Sequence, residues 1–199
     1  MPKTEVLIPM SKLFFVIVVT LFLFGACIDS DKNAEYNNDV QTTWIEGLEE
    51  ELFLGFSFGM SRLDMISNAK SLNDKRIIKP GAGSEFIMED STMQSLARVA
   101  FYPLFNENDE LIAVPMTYGY AGWAPWNPHL SADSLAYDLS VMLSDSLSIE
   151  FTSRENEAGS LIYTFETSLP MIKIEPIDNY KVSLVYAMNK QILYSAKHN

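Results

Sequence analysis

Residues Leu13–Ala26, LFFVIVVTLFLFGA, run for fourteen residues without a charge, and the only cysteine of the chain, Cys27, follows directly. That run divides the chain before anything else is read. A helix needs about 20 apolar residues to cross a hydrocarbon core. Fourteen suit the apolar region of a secretory signal better than a span. Lys12 stands just before the run and Lys3 further upstream, as the basic start of such a signal requires. A single cysteine allows no intramolecular disulfide, so its thiol calls for another use. The alternative is an uncleaved anchor helix with Cys27 buried.

The run ends Phe24-Gly25-Ala26-Cys27. Small residues before a cysteine at the end of an apolar run resemble the lipobox of bacterial lipoproteins. Phe24 stands where that family usually has an aliphatic residue. The resemblance implies that Cys27 is lipidated, that the signal 1–26 is removed, and that the protein meets its membrane through the lipid, on the periplasmic or surface side of the cell envelope. Read from Met10, MSKLFFVIVVTLFLFGAC has the proportions of a lipoprotein signal, which makes Met10 an alternative start. Asp29 lies close behind Cys27, where acidic residues can act as a sorting signal in such lipoproteins.

Residues 27–43 read as the lipidated cysteine and a flexible tether, because IDSDKNAEYNNDVQTT has little to bury. Residues 44–199 are left for the body, and a hydrophobic fraction of 48% with twelve Phe supplies a core. The net charge is −12, with no stretch rich in Lys or Arg. Nucleic acid is excluded as a partner, since its binding needs a basic footprint.

Within the body, hydrophobic spacing changes from helical to alternating twice. Thr43 with Glu46, then Trp44, Leu48 and Leu52, predict a short helix at 44–53. Ser61 with Asp64 has capping-box spacing and opens a helix that closes near Asn73, with Leu63, Ile66 and Ala69 on one face. Strands are predicted near 84–89, 93–102 and 110–120, with Ile77 and Ile78 in a short one and a turn at Asn106–Asp109. Ser131 caps a second helix with Leu135, Leu139, Met142 and Leu143 on one face. Strands near 148–153, 160–167, 171–175, 180–188 and 191–195 follow it. This order predicts an α+β fold, helix packed on antiparallel sheet, either as one unit or as two tandem halves, 44–122 and 129–199, each with a sheet under its own helix.

Gly59-Met60-Ser61 opening a helix resembles the outer-membrane assembly lipoproteins of the SmpA/OmlA type over about fifteen residues and the element order. That family shares its helix-plus-sheet unit with the β-lactamase inhibitory proteins, where the unit is duplicated. The resemblance implies protein binding at the envelope and no catalysis.

Gly55-Phe56-Ser57-Phe58-Gly59 matches G-x-S-x-G, but a nucleophile elbow stands on a central strand that others precede. Its only candidate bases are His129 and His198. A structural turn between phenylalanine anchors is the simpler reading. Asp29, Asp31 and Asn33 match the start of a calcium loop, yet Ala34 stands where glycine is required and Val40 where glutamate is. Two histidines and one cysteine leave no zinc set. Pro80-Gly81-Ala82-Gly83 lacks the setting of a phosphate loop. No catalytic residue, metal or cofactor is expected.

Tyr118 to His129, YGYAGWAPWNPH, holds two of the three tryptophans between the expected halves. It resembles a WAPWN-type signature of envelope proteins, which carries no activity with it. Trp123 and Trp126 could plug the seam between halves. Alternatively, Tyr118, Tyr120, Trp123 and Trp126 form an aromatic platform for a protein or a sugar. The leading expectation is a lipid-anchored, non-catalytic protein with a protein-binding or structural role in the envelope. A glycan- or small-ligand-binding lipoprotein is the alternative, and a hydrolase ranks third.

Overall fold

Apolar residues recur at every second position over 111–120, 171–176 and 181–187, and those stretches form the middle of a single antiparallel sheet. The computed structural model describes residues 52–196. Cys27, the segment 27–43, residues 44–51 of the helix expected at 44–53 and His198 lie outside the described residues; Leu52 and Phe53, the last two of that expected helix, are not helical, and Phe53 bridges to Phe56. Nine strands are described: β1 (Lys79–Pro80), β2 (Phe86–Asp90), β3 (Ala97–Phe101), β4 (Leu104–Phe105), β5 (Leu111–Tyr120), β6 (Thr152–Glu155), β7 (Leu161–Phe165), β8 (Met171–Pro176) and β9 (Lys181–Ala187). Helix α1 spans Arg62–Asp74, α2 spans Ala132–Leu147 and α3 spans Lys190–Ser195. The strands run β1-β2-β3-β5-β9-β8-β7-β6, and β4 pairs with β5 off that path. The fold is α+β, with helices packed on the sheet. The helix-then-strands order does occur twice. Instead of a sheet under each helix, β5 pairs with β9 over seven residues and joins all strands into one.

Register explains the core. Phe86, Phe101, Met116, Leu184, Ile174 and Tyr163 stand side by side across six strands, forming one apolar row. Phe101 centres an aromatic cluster, with the rings of Phe53, Phe56 and Phe86 at 5.3, 5.8 and 5.5 Å. Helix α2 closes this face: Leu135, Leu139 and Leu143 recur at four-residue steps and are buried. Ser131 caps it by accepting from the Ser134 amide. Among the described residues, no buried side-chain nitrogen or oxygen lacks a hydrogen-bond partner.

Helix α1 is capped as its sequence predicts. The Ser61 hydroxyl accepts from the Asp64 amide and donates to the Asp64 carboxylate. The face it buries differs from the expected one. Met65, Ala69 and Leu72 point inward, whereas Leu63 is 80% exposed and Ile66 52%. The helix carries two apolar stripes, and tethers orient it. Asn68 Nδ2 donates to the Leu54 carbonyl at 2.9 Å, and Arg62 pairs with Asp109 at 2.8 Å.

Residues 191–195, predicted as a strand, are helical. Asn189 accepts from the Ile192 amide and starts α3. A strand would send the adjacent Ile192 and Leu193 to opposite faces. A helix lets both pack against Ala113, Met171, Val185 and Ala187 on the second face of the sheet. Lys190 and Tyr194 hold α3 to Glu166 through an ion pair and a hydrogen bond.

Leu72→Ala should cost about 2–5 kcal/mol in chemical denaturation, and Leu63→Ala should stay within about 0.5 kcal/mol. Equal costs would show that α1 is rotated the other way. A second expectation concerns pH. Partial burial raises the Glu166 pKa, but bonds from Lys190 and Tyr194 outweigh it and hold the carboxyl below its ordinary value. A depressed carboxyl contributes stability above its unfolded pKa and loses it as pH falls through the folded one. Hydrogen exchange at the Leu193 and Ala196 amides should therefore speed up relative to the β5 amides below the ordinary carboxylate range. Glu166→Gln should remove that dependence.

Candidate functional site

The crossover from β5 to α2 carries the residues expected to form a platform, and the structure separates them. Tyr118 and Tyr120 are two residues apart on β5, so both face the helix side of the sheet and are buried, at 7% and 4% exposure. Burial pushes the Tyr118 hydroxyl pKa well up, and neighbouring Tyr186 and Asp90 add to the rise. The Tyr120 hydroxyl donates to Asp138 on α2, which also accepts from Gln94 at 2.6 Å. Desolvation first, and that carboxylate second, raise the Tyr120 pKa. The Tyr120 hydroxyl thus fastens β5 to α2, and both side chains are buried on the helix side of the sheet.

The two tryptophans part as well. Trp123 packs against the core at its edge, with its ring centroid 5.0 Å from that of Tyr180 at an interplanar angle of 31°. Trp126 is 81% exposed, so it does not plug a seam. The loop between them is held by Asn127 Nδ2, which donates to the Gly122 carbonyl at 3.0 Å. A short 3-10 helix, Pro128–Leu130, then leads into α2. Ala132 is fixed by its amide's bond to the Asn179 carbonyl in the β8–β9 turn. Trp123 lines an open cleft of about 510 Å³ together with Asp133, Asn156, Asp178 and Asn179.

A second surface lies on the sheet face opposite α2. Helix α3 covers only the end near Ala113 and Ala187. Beyond it, Arg98, Gly119 and Lys181 stand side by side on β3, β5 and β9. The neighbouring row reads Ile87, Ala100, Thr117, Ser183 and Glu175. Small residues at its middle leave a shallow trough of about 340 Å³. Gly119 has a steric reason: a Cβ there would come within 3.3 Å of the Tyr180 carbonyl oxygen. The Lys181 ammonium lies 5.1 Å from the Tyr180 ring centroid, and Tyr180 lines the trough while its ring packs against Trp123. Sequence reading missed Arg98, Lys181 and Tyr180, because their placement depends on a register that no local pattern announces.

The G-x-S-x-G segment is a structural hairpin. Leu54 and Gly55 both have positive φ, 51° and 77°, in the turn between the bridged Phe53 and Phe56. Gly59 and Met60 bond to Leu111 at the start of β5. His129 belongs to the other end, three residues before Ala132, which is tied to Asn179 beside the Gly119–Lys181 pair. About 26 Å of strand, at roughly 3.3 Å per residue, separates those two ends. Ser57 and His129 are thus not brought together as nucleophile and base. No group of three or more His, Cys, Asp or Glu that could hold a metal occurs among the described residues. None of the helices among them is long and apolar enough to cross a membrane.

No protein-family model matches the chain, and no curated protein or solved structure matches it either.

The packing role of Tyr120 and the exposure of Trp126 can be separated. Tyr120→Phe removes a hydrogen bond to a carboxylate and should cost about 1.5–3 kcal/mol. Trp126→Ala should leave stability within about 0.5 kcal/mol. Urea denaturation of both variants checks this, and the reverse order would refute the assignment.

Proposed function

We propose that this chain is a lipid-anchored, non-catalytic envelope protein that binds another protein through the sheet face opposite α2, which among the described residues α3 covers only at one end. The anchor rests on the sequence: an uncharged run of fourteen residues ending in Gly25-Ala26-Cys27, outside the described residues. The observation that carries the binding role is the row Arg98–Gly119–Lys181 beside a trough of small residues. A solvent-facing sheet face is ordinarily polar. Among the described residues this one has a low floor at Ala100 and Gly119, onto which a partner's surface can settle closely. The face carries charges of both signs, with Glu89 opposite Arg98 and Glu175 in the neighbouring row, so it favours a partner whose own charges alternate to match. The separation of Ser57 from His129 supports a role without catalysis.

Two experiments test the two parts. Growth with a labelled fatty acid should label the wild-type chain and leave Cys27→Ala unlabelled; label retained by that variant refutes the anchor. A photo-crosslinking residue at Lys181 should capture a protein in intact cells, and the same residue at Asp145, on the exposed side of α2, should not. Arg98→Glu should then reduce the adduct. Equal adducts from both positions, or none from Lys181, would reject the sheet face as the binding surface.

A further inference from the structure

The protein-binding reading leaves the cleft at the far end of β5 unused. Four segments wall it: the crossover loop with Trp123, the first turn of α2 with Asp133, the β6–β7 turn with Asn156, and the β8–β9 turn with Asp178 and Asn179. Its volume of about 510 Å³ falls within the range of small-ligand sites. Trp123 is the one aromatic residue that lines it among the described residues. Tyr180 packs against that indole and does not line the cleft, so it supports the ring from behind. The ring is thereby fixed before any ligand arrives, which lowers the entropy lost on binding.

The polar groups are fixed as well. Asn156 Oδ1 accepts from the Ala158 and Ser160 amides. Asp178 Oδ1 accepts from the Tyr180 and Lys181 amides. Both side chains therefore stand at set positions on the rim. Among the described residues, no Lys, Arg or His lines the cleft, whereas Asp133 and Asp178 do. Anionic ligands are disfavoured by that charge. A cage for an ammonium group uses several aromatic rings around the cation, and here there is one. A single supported ring beside amides and carboxylates fits the C–H face of a sugar, whose hydroxyls both donate and accept.

We propose that the Trp123 cleft is a second site, which binds an uncharged saccharide with one ring stacked on Trp123 and its hydroxyls bonded to the surrounding Asp and Asn side chains. It is independent of the sheet-face reading: the saccharide site can fail while that reading stands, and the reverse.

The test is calorimetric titration of the full chain in detergent with cello-, malto- and chito-oligosaccharides. An oligogalacturonate is the anionic control, and choline is the cationic one. A neutral oligosaccharide should bind, and the anionic one should not. Trp123→Ala should weaken binding about tenfold or more, and Trp126→Ala should leave it unchanged. Since Trp123 also packs at the core edge, Ala158→Phe provides a second variant. Ala158 is exposed and lines the cleft, so the larger ring obstructs it from the surface and should cause a similar loss. Absence of binding by every neutral oligosaccharide overturns the proposal. So does binding of choline alone, or binding that survives Ala158→Phe undiminished.

Discussion

The pairing of β5 with β9 is the contact on which the rest of the body depends. Each strand closes one run of helix and strands, and their seven-residue register joins the two runs. The apolar row from Phe86 to Tyr163 crosses the junction at Met116 and Leu184, both of which are almost fully buried. Without that pairing, each run would leave a sheet edge and half a core in water, where unpaired backbone groups invite association. Helix α2 packs on β7, β8, β9 and β5, and so lies across the junction. Tyr120, bonded to Asp138, fastens the end of β5 to the same helix. Sheet, helix and polar contact therefore stabilise one arrangement together.

What the sequence revealed is what local chemistry decides. Ser61 and Ser131 cap the helices they were expected to cap, because a hydroxyl one residue before a helical run satisfies an amide there whatever surrounds it. The long strand at 111–120 was legible from alternation alone. Positions fixed by partners distant in sequence were not. Helix α1 has two apolar stripes, and only its bonds to Leu54 and Asp109 show which is buried. Residues 191–195 resemble a strand until Asn189 is seen to cap them and the second face of the sheet is seen to need a cover. The joining of both runs into one sheet has no local signal at all.

The aromatic segment makes the same distinction at the candidate site. Its composition marked it as unusual, and four side chains were grouped because they are close in sequence. The strand's alternation buries Tyr118 and Tyr120, while the loop beyond Tyr120 is free to place Trp123 beside Tyr180 and to leave Trp126 in water. Proximity in sequence therefore says little about shared surface once a segment passes from strand to loop. The ring that packs against Trp123 is that of Tyr180, from the distant β8–β9 turn.

The described chain enters at Leu52, beside the hairpin that meets Leu111, and leaves at Ala196, packed near Ala113 and Ala187. Entry and exit therefore share one end of the strands, and the cleft with its tryptophans is at the other. The cleft lies across the far end of the strands and the trough along their flank, so the two surfaces look in different directions and a ligand in one does not occupy the other.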